Sequence, residues 1–321
     1  MQSWAEILSL WQNKKVLVTG AAGFLGSHLC YELLEAGANV TLVDDFSAWT
    51  KLPDKPVLNG LILPVRIQDD EIHSLLSKTA FDVIFHLAGL AYAAKSVTSP
   101  WLDFESNLLT TVQFLDVLRK NSFQGRLVYT SSAAVYGQPD RFPIDENTAT
   151  LPISPYGVSK LSAEHYIRVY SNLYNFQALI ARPFSLYGCR QRKQVVYDIV
   201  RKALQSDGAI ELIGDGSEVR DFLYVEDAAR ALLYLGACPS NDIGIFNICS
   251  GQGISIQELA QMIINILGED TNRICFTGVR RPGDPLIWVG CNRLLIQTGF
   301  YKRFDLERGL KLTVNWCREH L

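Results

Sequence analysis

Paired cysteines are missing from this chain. Its seven cysteines, Cys30, Cys189, Cys238, Cys249, Cys275, Cys291 and Cys317, form no CxxC and have no histidine at ligand spacing. That excludes a disulfide-stapled framework, gives no metal site, and points to reduced, packed thiols in a cytoplasmic protein. An excess of one charge is missing as well. With 30 basic and 33 acidic residues the net charge is -3, and no Lys/Arg-rich tail or stripe stands out, so nucleic acid is not an expected partner. No apolar run is long enough to span a membrane, and the opening MQSWAEILSLWQNKK carries Glu6 and no cationic signal-like head. Its apolar Trp4, Ile7, Leu8 and Trp11 recur at helical spacing, which predicts a short amphipathic helix against the body or a subunit neighbour. At 48% hydrophobic and 20% charged residues, the composition is that of a folded globular protein.

What is present is alternation. KKVLVTG (14–20), NVTLVD (39–44), LILPVRI (61–67), DVIFHLAG (82–89), RLVYTSS (126–132) and FQALIAR (176–182) read as buried strands. Helical periods fall between them over 26–37, 71–78, 101–120 and 156–174. Such alternation predicts an α/β fold: a Rossmann-type, doubly wound parallel sheet covered on both faces. Beyond Arg182 the pattern loosens. Helices are expected over 193–204, 225–235, 254–268 and 304–320, an edge strand over 209–214, and a strand over 244–249 that returns to the main sheet. Residues 1–182 are therefore expected to form mainly the cofactor-binding domain. Residues 183–321 are expected to form mainly a smaller substrate-binding lobe, with about 225–250 returning to the main domain.

The first strand and helix are joined by TGAAGFLG, with Gly20, Gly23 and Gly26 and, between the last two, Phe24 and Leu25. Glycines there permit a tight turn, close approach of backbone to a pyrophosphate, and close packing of helix on strand. The second strand ends at Asp44, where a carboxylate can accept both ribose hydroxyls of NAD and would repel a 2'-phosphate. Asp45 follows it, with no Lys or Arg beside the pair, so NAD is expected over NADP. The fourth strand closes on Leu87, Ala88 and Gly89, small residues suited to a dinucleotide lying across the sheet edge, and His86 reads as a packed histidine.

Tyr156 and Lys160 stand one helical turn apart after Pro155 and share a face. A lysine ammonium near the phenol and the oxidised nicotinamide is expected to draw the tyrosine pKa from its usual value toward neutrality, making the phenolate a base. Ser132, at the end of the fifth strand, can orient the same sugar hydroxyl. Together the three residues describe alcohol oxidation by proton removal and hydride transfer.

With these motifs in order, the chain resembles the extended short-chain dehydrogenase/reductases that act on nucleotide sugars, and most closely the nucleotide-sugar 4-epimerases. The motifs run nearly the length of the sequence: TGAAGFLG, LVDDFS, HLAGLAYAAKSVTSP with Asn107 after it, TSSAAVYG, YGVSK, RPFSLYG, GDGSEVRDFLYVEDAARA and RRPGD. The resemblance implies Ser132, Tyr156 and Lys160 as catalytic residues, and Asn107 among the cofactor contacts. It also implies nucleotide and diphosphate contacts at Arg220 and at Arg281 with Asp284, an NDP-sugar in the second lobe, and a homodimer through a four-helix bundle. Arg is the bidentate choice for phosphate, and Arg190, Arg192 and Lys193 crowd the loop after RPFSLYG.

Four positions depart from the family pattern. Arg66 stands where an aspartate commonly meets the adenine, Ser185 where an asparagine meets the diphosphate, Ala91 where a lysine nears the cofactor, and CRQRKQ in place of a Pro-led turn. The 4,6-dehydratases place acids after the catalytic Ser or Thr, and here those positions are Ala133 and Ala134. The leading expectation is thus epimerisation at C4 through a transient 4-keto sugar. The alternatives are dehydration by an acid from elsewhere, 2-epimerisation, reduction of a 4-keto-6-deoxy sugar, and a non-catalytic NAD-binding subunit. The base and the sugar are left open.

Overall fold

The computed structural model describes residues 4–46, 61–67, 69–205, 208–237, 244–279 and 283–321. Its first six strands are β1 (Lys15–Thr19), β2 (Asn39–Val43), β3 (Leu61–Leu63), β4 (Val83–His86), β5 (Arg126–Thr130) and β6 (Gln177–Pro183). With the strand Gly244–Ile248 they form one parallel sheet in the order Gly244–Ile248, β6, β5, β4, β1, β2, β3. The order reverses between β1 and β4. In a doubly wound sheet this is the crevice in which a dinucleotide lies.

The strands are apolar almost throughout because both faces are covered. Val16, Val18, Val40, Leu42, Phe85, Val128 and Leu179 face the helices Phe24–Glu35 and Val225–Ala237, through Leu29, Leu33, Ala228 and Leu232. Their neighbours Leu17, Val43, Ile84, Leu127, Tyr129 and Ala178 face the opposite layer. That layer consists of the helices Asp70–Lys78, Thr110–Lys120 and Pro155–Tyr174, which contribute Ile72, Leu76, Phe114, Leu118, Ala163 and Ile167. Each strand thus divides its side chains by the period of two. The expected N-terminal helix is Trp4–Ser9. It lies on the body of its own chain, with Ile7 and Trp11 buried and the Trp4 ring stacked on Tyr234 at 5.7 Å.

A second core gathers Tyr187, Phe222 and Tyr224 with the helices Val195–Gln205, Ile256–Leu267 and Leu306–His320. The strand Ile210–Leu212 pairs with Ile274–Phe276, apart from the main sheet. The helix Ile256–Leu267 starts on a capping box, Ser255 with Glu258, so Gly253–Ser255 is a strand and not the helical start the periodicity suggests. LILPVRI is also shorter as a strand than expected. Pairing stops at Leu63, since Pro64 offers no N–H and the Arg66 N–H turns back to the Asp69 carboxylate at 2.8 Å.

Candidate active site

Gly20 ends β1 at φ +69, and an added Cβ would lie 2.7 Å from the Ala88 N. The glycine turn and the Leu87–Gly89 segment therefore touch at the point where the strand order reverses. Leu87 N donates to Thr19 O at 3.1 Å. Gly23 caps the helix Phe24–Glu35 without a side-chain bond, and the first turn, with Phe24 and Leu25 half-buried, holds no acid. Its unpaired N–H groups and positive dipole end are left for an anion. Gly26 lies so close to this turn that a Cβ would stand 2.0 Å from the Gly20 O. Gly26→Ala should therefore push the turn off the helix, costing about 1–3 kcal/mol by overpacking and weakening NAD binding in calorimetry.

Asp44 reaches back into the same turn. One of its oxygens accepts from Ala22 N at 2.9 Å and the other from Phe46 N at 2.7 Å. Burial raises its pKa, opposed by those two N–H groups, and each oxygen keeps a lone pair for a ribose hydroxyl. Asp45 is exposed and stands 3.9 Å from Arg66 Nε. An acid and a cation that the sequence reading treated separately thus stand together just beyond Asp44. Glycine turn, uncapped helix end and fixed carboxylate fit an NAD molecule.

His86 is fully buried between Thr19 Oγ1 at 2.7 Å and Thr111 Oγ1 at 3.2 Å, stacked on Phe114, and burial lowers its pKa to about 3. It is a packed neutral histidine. Asn107, also fully buried, accepts from Leu90 N at 3.1 Å and donates to Leu90 O at 3.2 Å, fixing the loop after Gly89. It lies in the π-helical segment Phe104–Leu109, a local widening common at functional sites.

Ser132 follows β5 and caps the short turn Ala133–Tyr136, accepting from Ala134 N at 3.1 Å. Ser154 and Pro155 start the helix that carries Tyr156 and Lys160, with Gly157 N donating to Ser154 Oγ at 3.2 Å. The three predicted catalytic side chains come together: Ser132 stands by the Tyr156 phenol and lowers its pKa, and Lys160 Nζ lies 6.0 Å from the Tyr156 ring centre. Lys160 donates to Thr130 O at 3.0 Å and sits 4.9 Å over the Tyr129 ring.

Burial sets their acidities in the protein alone. Burial pushes Tyr156 up to about 12, with Ser132 opposing and Asp103 adding to the rise. Burial lowers Lys160 to about 8, with Asp103 and Glu164 opposing. In the protein alone, desolvation of the phenolate dominates, and the ammonium is bonded to Thr130 O and lies nearer the Tyr129 ring than the Tyr156 ring.

The substrate candidates lie on the other wall. Ser185 is half-buried in the strand Ser185–Tyr187. Arg220 is buried on the strand Val219–Tyr224, bonded to Asp284 at 3.0 Å and 5.8 Å from the Trp288 ring centre. The segment bearing Asp284 lies against the catalytic helix, since a Cβ on Gly283 would stand 3.3 Å from Ile153 O. Arg192 is exposed on its loop, and Lys193 lies 5.7 Å over the Tyr92 ring. Arg281 is outside the described residues. Among the described residues no group of His, Cys, Asp and Glu is placed to hold a metal.

The sequence reading missed Asp103, Ser96 and Trp288. Ser96 Oγ accepts from Tyr156 N at 3.1 Å, and Trp288 Nε1 donates to Gly137 O at 2.9 Å. Asp103, four residues before Asn107 at helical spacing, left the only signal.

A Rossmann sheet with this switch point and a Ser–Tyr–Lys set beyond it defines an NAD-binding short-chain dehydrogenase/reductase fold. The model of the NAD dependent epimerase/dehydratase family matches residues 16–249, and the chain belongs to that family. It is 31% identical over 309 residues to a putative UDP-glucose 4-epimerase of Methanocaldococcus jannaschii, covering 95% of this chain and 99% of the relative. Among solved structures it resembles the UDP-glucose 4-epimerase of Thermotoga maritima with UDP-glucose, at a TM-score of 0.87 and 31% identity over 95% and 99% of the two chains. It also resembles the UDP-glucuronic acid 4-epimerase of Bacillus cereus in complex with UDP-glucuronic acid and NAD, at a TM-score of 0.87 and 27% identity over 96% and 100%. The cofactor is NAD, and the enzyme is of the isomerase class.

Proposed function

We propose that the protein interconverts UDP-sugars epimeric at C4 through a transient 4-keto sugar. The observation that carries this reading is the surroundings of the Ser132–Tyr156–Lys160 set, which among the described residues holds a base and its cation but no acid free to protonate a leaving hydroxyl. Ala133 and Ala134 follow Ser132 and are buried. The two nearby carboxylates are engaged, Asp103 by Ser159 and Asn107 and Glu164 by Arg182 and Ser131. Dehydration needs that acid and epimerisation does not.

Gly20, Gly23, Phe24, Leu25, Gly26, Asp44, Asp45, Leu87, Ala88, Gly89, Asn107, Tyr156 and Lys160 hold NAD in this proposal. Bound there, NAD supplies a hydride acceptor and donor and, when oxidised, a positive charge that offsets the burial of the phenolate. Tyr156 takes the proton of the C4 hydroxyl, Ser132 orients that hydroxyl, and the Lys160 ammonium favours the phenolate. After the keto sugar has turned over, the hydride would return to the opposite face of C4 while Tyr156 gives the proton back to the C4 oxygen. Turning requires that the sugar be held through its nucleotide. Arg220, and Arg281 with Asp284, together with Arg192 and Ser185, are the proposed nucleotide and diphosphate contacts in the lobe from about residue 183.

Products from a panel of UDP-glucose, UDP-N-acetylglucosamine and UDP-glucuronate test the reading. A product of unchanged mass and altered chromatographic retention is expected, and loss of water would overturn it. Arg220→Ala should weaken UDP binding in calorimetry by about 1.5–3 kcal/mol, the worth of a charged hydrogen bond, and an unaltered affinity would place the nucleotide elsewhere. Activity should fall as pH rises through about 8, because Lys160 is protonated below that value and neutral above it.

A homodimer belongs to the same proposal. Tyr166, Val169 and Leu173 line the outer face of the helix Pro155–Tyr174, beside Trp101 and Leu109. Leu173 is 67% and Trp101 68% exposed, an apolar face suited to a second copy in a four-helix arrangement. Leu173→Glu should convert a dimer to a monomer in sedimentation, and a monomeric wild type would remove the dimer. A cytoplasmic place in carbohydrate biosynthesis completes the reading, supported by the free thiols at Cys30, Cys249 and Cys317.

A further inference from the structure

Asp103 is buried, at 3% exposure, where the segment Pro100–Asp103 meets the π-helical turn. One of its oxygens accepts from Asn107 Nδ2 at 2.8 Å and the other from Ser159 Oγ at 2.7 Å. Asn107 in turn holds both backbone polar groups of Leu90, next to Gly89. Ser159 stands on the helix Pro155–Tyr174, between Tyr156 and Lys160. One unbroken chain of hydrogen bonds therefore runs from the cofactor loop through Asp103 to the helix that carries the base.

Both direct partners of Asp103 are neutral, which is costly for a buried carboxylate unless a charge nearby answers it. The groups facing Tyr156 and Lys160 identify that charge. His86 and Tyr129, from β4 and β5, are neutral, the first with its pKa lowered and the second with its pKa raised by burial. Glu164 is matched by Arg182 at 2.6 Å. Among the described residues Asp103 is left as the one anion at the catalytic pair without a basic partner of its own; its partner Ser159 is the residue next to Lys160 on the helix, and Lys160 is the cation whose pKa its charge raises.

We propose that Asp103 is a positioning residue for the reaction: it ties the Tyr156–Lys160 helix to the Gly89–Leu90 cofactor loop, and its charge keeps the Lys160 ammonium in place. Two substitutions probe the two parts. Asp103→Asn removes the charge and keeps an amide oxygen for Ser159 while giving up the Asn107 bond, since an amide has one acceptor oxygen, whereas Ser159→Ala cuts the tie to the helix and keeps the charge.

The proposal rests on Tyr156 and Lys160 being the catalytic pair, so the first readout is NMR of isotope-labelled lysine in the NAD-loaded protein, assigned with Lys160→Met. It needs no turnover and stands apart from the identity of the substrate. In Asp103→Asn the Lys160 titration should move to lower pH by about one unit, and the basic limb of the activity profile should move with it. In Ser159→Ala the titration should stay in place while kcat falls and KM for the UDP-sugar is kept, since the nucleotide is held elsewhere. A Lys160 signal and basic limb that do not move in Asp103→Asn would make the residue a fold element only and overturn the proposal. Should that variant fail to fold, Asp103→Ser, which keeps a hydroxyl toward Asn107, is read in the same way.

Discussion

Tyr156→Phe should lower kcat by about 10²- to 10⁴-fold, the range supplied by a positioned general acid–base group. The substitution removes one oxygen and nothing from the core. The ring keeps its place 6.0 Å from Lys160 Nζ, and the Ser96 bond to the Tyr156 backbone N–H is untouched. Folding should therefore match the wild type, NAD affinity should fall by no more than about 1 kcal/mol, the worth of one hydrogen bond, and KM for the UDP-sugar should change little. This split separates chemistry from structure. A larger loss of NAD affinity would mean that the phenol holds the cofactor more than it moves a proton, and undiminished turnover would remove Tyr156 from the mechanism. Burial holds the phenol near 12, so the base exists only once positive charge gathers around it. Lys160→Met should consequently lower the rate even with Tyr156 intact.

The largest effect on stability should come from Glu164→Ala. Glu164 and Arg182 are 1% and 3% exposed, joined by two bonds at 2.9 and 2.6 Å, and Ser131 adds a third to the same carboxylate at 2.5 Å. Removing the acid leaves a buried guanidinium stacked 4.8 Å over the Tyr136 ring with no counter-charge. Breaking one side of such a pair costs about 3–5 kcal/mol, to be read as a shift of the denaturation midpoint. The pair ties the catalytic helix to β6 and, through Ser131, to the segment that presents Ser132. Activity lost in Glu164→Ala should then track unfolding, unlike that lost in Tyr156→Phe. A midpoint within about 1 kcal/mol of the wild type would show that the core absorbs the orphaned charge, against the general cost.

What the sequence made legible follows burial. Runs such as Val16–Val18 and Leu127–Tyr129 are covered on both faces, so their apolar character announces strands directly, and the Gly20–Gly26 spacing marks the turn where the sheet order reverses. Tyr156 and Lys160 share a face because the helical period demands it. The second lobe was harder to read. Ser185–Tyr187, Gly253–Ser255 and Ile287–Trp288 are two or three residues long, below any detectable period, and exist because Val219–Tyr224 gives them an edge to pair with. Similarly, spacing along the helix reports the lysine neighbour of Tyr156 but not the desolvation imposed by the surrounding elements. The role of Asp103 likewise depends on Ser159, which only the tertiary fold brings to it at 2.7 Å.

The most direct test of C4 epimerisation is proton NMR of a UDP-sugar turned over by the NAD-loaded enzyme in heavy water. The hydrogen removed from C4 is returned to the same carbon from the other side, so the product should show an inverted C4 with its hydrogen retained and no solvent deuterium at any ring carbon. Deuterium at a carbon next to C4, or a product that has lost water, would mean that the keto sugar is deprotonated before the hydride returns, and would contradict the mechanism.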